Sequence, residues 1–319
     1  MKNMAIATIV SSCLLMQGCL NKERVAHMPE AENQVITEDG RHFVTSGKGL
    51  AEIKNKNGQL VLDYIDAGCD AYNGIVSFDS HLLVVCADSA LINARHTLIS
   101  AQLEENTKPE MTELLELSNM SLPNGMTLTP DNNALLIADY LLLGRGKVSK
   151  FDLIVNEAGL NAQINDLNYL DIKQNVYSPN GLKFSGEDLY LTDFDYTSLS
   201  SRVMKISFDS GQYLNSEVLY EKVTILDDLL PTCGGVLTGD FLNGRLVFIN
   251  SEGKVHRSDY QEFPGLSSMI WGQAPLFDDN TLVITERGII QDSISPIGNQ
   301  ISAVDISNST LQTVGALCQ

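Results

Sequence analysis

The chain has 319 residues, 44% of them apolar and 19% charged, which excludes a disordered chain and leaves room for one large closed domain or two ordinary ones. Lys and Arg total 21 against 40 Asp and Glu, a formal net charge of −19. Such a surface repels phosphate backbones and excludes a nucleic-acid partner.

Taken in chain order, the first segment reads as an address. Lys2 is a short basic region, and Met4 to Met16 is an apolar stretch too short to span a bilayer as a helix. Leu15-Met16-Gln17-Gly18-Cys19 resembles a bacterial lipobox, which implies cleavage after Gly18 and lipid on Cys19. An ordinary secretory peptide cut nearby is the alternative. Leu20 after the Cys implies an outer-membrane lipoprotein facing the periplasm. The expected plan is a signal peptide over 1–18, a lipidated tether over 19–29 and a folded body over 30–319. No other segment is long and apolar enough to cross a membrane, so attachment would be by lipid alone.

The body is a succession of short β-rich runs between Gly, Asn, Asp and Ser clusters: HFVTS, HLLVVCADS, NALLIADY, EDLYLTDF, GRLVFINS and NTLVITE. Thr107 to Leu117 reads as a helical turn or a loop. Aligning what precedes each run exposes a repeat. Asn73-Gly74-Ile75 leads to Asp88, Asn124-Gly125-Met126 to Asp139, and Asn180-Gly181-Leu182 to Asp193. The Asn-to-Asp gaps are 15, 15 and 13 residues, and the repeats start 51 and 56 residues apart. Degenerate copies are read at Gly234-Gly235-Val236, at Ser267-Ser268-Met269, and at the front in Glu32-Asn33-Gln34-Val35. Six all-β units, each with room for four antiparallel strands, predict a six-bladed β-propeller rather than a solenoid. Radial closure leaves no long exposed sheet edge.

The phrases SLPNGMTLTPDNNALLIADY and YSPNGLKFSGEDLYLTDF resemble the gluconolactonase/regucalcin family and its strictosidine synthase-like and paraoxonase-like relatives. The resemblance implies a divalent cation, usually Ca2+, in the central tunnel. It implies Glu32, Asn124 and Asn180 as ligands, with Asn73 as a further polar group at the tunnel mouth. Carboxylate and amide oxygens suit a hard cation, and the Gly after each Asn would allow a tight backbone turn. Asn-Gly pairs also start strands without any metal. The family's next ligand, an Asp that also serves as a candidate base, would fall near Cys233-Gly234-Gly235, where no oxygen-bearing side chain stands. Asp227, Asp228 or Asp240 could substitute through a loop shift, but none is in register. The implied activity is metal-assisted hydrolysis of a lactone or ester bound at the tunnel mouth. The alternative is a non-catalytic propeller that binds a small molecule, glycan or protein.

Other residues read as structural. Asp88, Asp139 and Asp193 are expected to accept backbone N–H bonds at turns, with Glu286 in the equivalent place in the last unit. His27, His42, His81, His96 and His256 are scattered and read as surface or turn residues. No GxSxG elbow is present, and Gly144-Arg145-Gly146-Lys147 lacks the context of a phosphate loop. Cys69, Cys86, Cys233 and Cys318 permit disulfides of undetermined connectivity, or free thiols.

Overall fold

The computed structural model of the chain describes residues 20–89, 94–105, 107–141, 143–157 and 159–306. The expected signal peptide, Cys19 and Cys318 lie outside the described residues. Asn21–His27 is strand β1. The first blade is β2 (Ala31–Ile36), β3 (His42–Ser46), β4 (Gly49–Lys56) and β5 (Gln59–Ile65). The second is β6 (Ala71–Phe78), β7 (His81–Ala87), β8 (His96–Gln102) and β9 (Thr112–Glu116). The third is β10 (Pro123–Leu128), β11 (Ala134–Asp139), β12 (Lys147–Asn156) and β13 (Gly159–Leu170). The fourth is β14 (Pro179–Ser185), β15 (Asp188–Asp195), β16 (Ser200–Asp209) and β17 (Gln212–Lys222). The fifth is β18 (Leu226–Thr232), β19 (Gly235–Asp240), β20 (Arg245–Asn250) and β21 (Val255–Arg257). The sixth is β22 (Leu266–Trp271), β23 (Thr281–Glu286) and β24 (Gln300–Asp305), completed by β1.

All pairings are antiparallel, with four strands in each sheet. Each blade's first strand touches those of the blades on either side, and β22 touches β2, so the ring closes. The molecule is the expected six-bladed β-propeller. Two expectations fail at its seams. The segment read as a tether is β1, whose pairing with β24 locks the first residues of the body onto its last sheet. Thr107 to Leu117 contributes β9, the edge strand of the second blade.

Burial follows position in the blade. The second strands β3 and β11 are buried at every residue, because both of their faces pack against neighbouring blades. The edge strand β17 is largely exposed, with no fully buried residue. Apolar clusters therefore lie between blades, as where Met269 and Leu266 of β22 meet Leu237 of β19 and Phe248 of β20. Trp271 packs against the same cluster.

Hydroxyls stitch adjacent blades. Thr45 donates to the Asn73 carbonyl, Thr192 to that of Asp227, and Thr285 to that of Glu32. Each runs from a second strand to the first strand of the next blade. The recurrent acids work on the backbone as expected. Asp139 accepts from the Ser121 and Leu122 amides, and Asp193 from those of Tyr177 and Ser178, all at 2.7–2.8 Å. They clamp the linker entering their own blade's first strand. Asp88 instead accepts from the Arg95 amide inside its own loop. Glu286 is held by Lys22 of β1 at 2.7 Å and by Gln300 and Ser302, so it secures the closing sheet. Cys69 and Cys86 are joined by a disulfide, and Cys233 is also disulfide-bonded. His42 and His96 are buried, against the expectation of surface or turn positions.

Candidate functional site

One geometric device builds the site six times. In each blade the start of the first strand pairs with the end of the second, and the register then slips by one residue: between Pro123 and Met126, Pro179 and Leu182, Leu226 and Leu229, and Ala31 and Gln34. The same slip falls between Tyr72 and Ile75 and between Leu266 and Ser268. Such a β-bulge re-aims the side chain it carries. The residue that follows the paired position is Glu32, Asn73, Asn124, Asn180, Asp227 and Ser267 in blades one to six. Five of these line one cavity of about 530 Å³ at the axis, the sixth, Ser267, lying beside Glu32.

The structure thus brings Glu32, Asn73, Asn124 and Asn180 together and adds an acid, Asp227, where the sequence reading had none in register. Asp227 occupies in β18 the position that Asn124 and Asn180 occupy in β10 and β14. Cys233-Gly234-Gly235, read as the start of a first strand, is the turn into β19, and GRLVFINS is a third strand rather than a second. The fifth blade thus begins one strand before the glycine pair, and Asp227 stands at its ring position.

The glycines also have a different cause. Gly74, Gly125 and Gly181 are absent from the left-handed backbone positions. A Cβ on Gly74 would stand 2.0 Å from the Asn124 carbonyl oxygen, and one on Gly125 would stand 1.9 Å from that of Asn180. They are glycine because the next blade's ring residue lies against them, which fixes how closely neighbouring ring side chains approach.

The ring side chains are hydrogen-bonded to one another. Asn33 Nδ2 donates to Asn124 Oδ1 at 2.8 Å, and Asn124 Nδ2 donates to Glu32 Oε1 at 3.3 Å. Asn180 Nδ2 donates to Asp227 Oδ1 at 2.7 Å. Asn73 Nδ2 donates to the Pro123 carbonyl at 3.2 Å, leaving its own amide oxygen for the cavity. Behind Asp227, Asp228 accepts from Ser268 at 2.7 Å.

Arg287, just past β23, enters the same cavity. Its Nη1 donates to Glu32 Oε2 at 2.8 Å, and its Nη2 lies 3.6 Å from Glu30 Oε2. Burial pushes the Asp227 carboxyl well above the ordinary carboxylate range, reinforced by the charges of Glu32 and Asp228 and opposed by Arg287. Burial also disfavours charge on Arg287, but Glu32, Asp227 and Glu30 outweigh it and hold the guanidinium protonated. His96 and Tyr140 line the cavity too. Burial lowers the His96 pKa, so the ring is neutral near pH 7. Burial and Asp227 raise that of Tyr140, keeping its hydroxyl protonated. Arg287, His96 and Tyr140 carry no recognisable motif and are located only by the fold.

The donor set fits a hard divalent cation. Glu32 and Asp227 would offer carboxylates, and Asn73, Asn124 and Asn180 amide oxygens, from the wall of one cavity. No group of three or more His, Cys, Asp or Glu side chains among the described residues is placed to hold a metal, so any cation here would need the amide oxygens as well. The site's acids already hold one cation, Arg287, which opposes the upward push that burial, Glu32 and Asp228 give the Asp227 carboxyl.

No protein-family model matches the chain, and no curated protein is similar to it in sequence. Similarity is found among solved structures. One is the PQQ-bound aldose sugar dehydrogenase from Streptomyces coelicolor (TM-score 0.62, 13% identity, 89% of this chain and 96% of that one). A second is a gluconolactonase from Xanthomonas campestris (TM-score 0.61, 14% identity, 89% of each chain). A third is the calcium-binding protein regucalcin from Agrobacterium tumefaciens (TM-score 0.59, 17% identity, 88% of this chain and 92% of that one). At these identities the likeness establishes the propeller fold and leaves the chemistry to be argued from the ring.

Proposed function

We propose that the protein is a metal-assisted hydrolase of a lactone or ester, with Glu32, Asn124, Asn180 and Asp227 holding a divalent cation, most simply Ca2+, and Asn73 at its edge. The observation that carries this reading is Asp227 in register with Asn124 and Asn180, on the wall of the same cavity as Glu32. When bound, the ion would polarise the scissile carbonyl and offset the charge that develops on its oxygen. Asp227 serves as the base. Asn180 holds Oδ1, which leaves Oδ2 to take the proton of the attacking water. Asn124 and Asn180 fix the two carboxylates through their Nδ2 groups. A cavity of this size admits a small organic substrate.

The ion pair between Arg287 and Glu32 favours a second reading, in which the mouth binds a ligand without metal or turnover. Calcium separates the two. Under the hydrolase reading calcium raises the melting temperature, and Asn180→Ala abolishes that shift while lowering kcat/KM for a lactone or ester by tenfold or more. Absence of a shift with any divalent cation would remove the metal site and leave the binding reading.

We also infer export and lipid attachment at Cys19, from the Leu15 to Cys19 pattern. Among the described residues no helix is long and apolar enough to cross a membrane. Metabolic labelling with palmitate should mark the full-length protein in a bacterial host and fail with Cys19→Ala. Labelling that survives this change would place the lipid elsewhere.

A further inference from the structure

The first strands begin at the ring, so the loops joining second to third strands, and those leading into each first strand, lie on the cavity's face. Most of the exposed large apolar side chains sit on this face. Leu143, Leu199, Val223, Leu242, Ile290 and Ile294 come from loops of blades three to six. Ile294 is 92% exposed and Ile290 58%. Exposed apolar side chains gathered on the cavity's face of an acidic protein make that face a candidate binding surface.

The loop 287–299, which carries four of the exposed isoleucines, is pinned at its base. A Cβ on Gly298 would lie 2.3 Å from the Gly288 Cα, and one on Gly265 would lie 2.5 Å from the Gly288 amide nitrogen. Asn299, fully buried, donates to the Asp292 carbonyl at 2.8 Å and to that of Ser295 at 3.1 Å. Its Oδ1 accepts from the Glu30 amide at 2.7 Å. The isoleucines are thus held in water by a built loop.

The apolar surface does not stop at the rim. Ile290 lies both on the face and in the cavity wall, and Phe241, Ile225 and Leu122 continue that wall toward the polar ring. A flat partner such as a bilayer would touch only the outer part. The start of the body also points away from this face. Asn21 pairs with Asp305, at the far end of β24 from Gln300, which pairs with Glu286 beside the mouth. A lipid on Cys19 would therefore draw the opposite face toward the membrane.

We propose that the occupant is the apolar part of the substrate: the site takes lactones or esters that carry an alkyl group, which lies along Leu122, Ile225, Phe241 and Ile290 while the polar head meets the ring. This rests on the hydrolase reading for the head group and on the apolar wall for the tail. Each methylene buried against such a wall is worth about fourfold in binding.

The test uses two readouts on the calcium-loaded full body. Hydrolysis is measured on a series of 4-nitrophenyl esters from acetate to octanoate, and calorimetry follows butyl- and octyl-substituted lactams, which resist hydrolysis. In the wild type, kcat/KM and lactam affinity should each rise tenfold or more from the short to the long member. Ile290→Ser with Phe241→Ser should flatten both series. Ile154→Ser, at an exposed site on β12, should leave them steep and serves as the folding control. Length-dependent lactam binding without hydrolysis of any ester or lactone would sink the hydrolase reading and leave the apolar subsite standing. Hydrolysis with flat dependence on alkyl length, or a preference for polyhydroxylated sugar lactones, overturns the subsite and leaves the hydrolase. Flotation with neutral phosphatidylcholine vesicles, lost in the double variant and accompanied by a flat lactam series, would show a bilayer surface and also overturn it.

Discussion

Asp227→Asn is expected to abolish calcium stabilisation and to lower ester or lactone hydrolysis by a factor of roughly 10² to 10⁴, while leaving the metal-free protein at least as stable as the wild type. The first two effects follow from the residue's double role. Removing the base costs about that factor, and removing one of two ring carboxylates deprives the ion of half the charge that holds it. At an ion concentration a hundredfold above Kd, the wild type gains about 2.7 kcal/mol from binding, and the variant should gain none of it. The third effect is the discriminating one. Asp227 lies buried between Glu32 and Asp228, and burial with those charges pushes its carboxyl upward. The carboxylate form is therefore unfavourable in the metal-free fold. Asn keeps the shape and the Oδ1 that accepts from Asn180, and it removes the charge. Denaturant melts with calcium and with chelator, on both proteins, resolve the terms. A variant that retains the calcium shift would place the ion elsewhere, and a variant weakened in chelator would show that Asp227 is not crowded by its neighbours.

The repeat was legible because a propeller repeats its backbone problem. Each blade must start a strand at the axis, and Asn-Gly or Pro-Asn-Gly marks that start in blades two, three and four. The fifth blade solves it with Leu226-Asp227-Asp228, which carries no glycine signal, while Gly234-Gly235 one strand-length later imitates one. A cue did exist. Asp227 precedes Asp240 by thirteen residues, as Asn180 precedes Asp193, and Asp240 closes β19 as Asp193 lies near the end of β15. Spacing to the closing acid was the sounder guide, because that acid pairs across the sheet with the residue just before the ring position. Turn residues follow local conformation and recur wherever the chain bends. β1 was illegible for another reason. Its partner β24 lies about 280 residues away, and NKERVAH has the polarity of an edge strand, which single-sequence patterning does not separate from a tether. Arg287 was hidden in the same way, since only ring closure brings the end of the sixth blade to Glu32 in the first.

Acidification should weaken the protein through one residue in particular. His42, the first residue of β3, is fully buried, with Nε2 2.9 Å from Gln34 Oε1 and the ring edge-on to Phe277. Gln34 gives its own Nε2 hydrogen to the Val283 carbonyl at 3.0 Å, so its Oε1 faces the imidazole and Nε2 of His42 carries the donated hydrogen. Nδ1 has no partner among the described residues, and a proton placed there would be a buried, unpaired charge. Burial accordingly lowers the His42 pKa to about 3 from 6.5. Because the folded pKa lies below the unfolded one, the unfolded chain takes up a proton that the folded chain refuses. The associated stability is fully present above pH 6.5 and drains away as the pH falls toward 3. Two units below 6.5, the loss from this residue is about 2–3 kcal/mol, at about 1.4 kcal/mol per unit. The buried acids Asp139, Asp193 and Asp227, whose carboxyls are raised, act in the opposite direction over the same range, since their protonation favours the fold. The whole-protein profile therefore mixes the two, and the difference between proteins isolates the histidine. His42→Gln can still donate to Gln34 and cannot titrate. Urea melts at pH 7 and pH 4.5 should show the wild type losing about 2–3 kcal/mol more than this variant on acidification. Equal losses would mean that His42 opens to water and takes up its proton before the fold gives way.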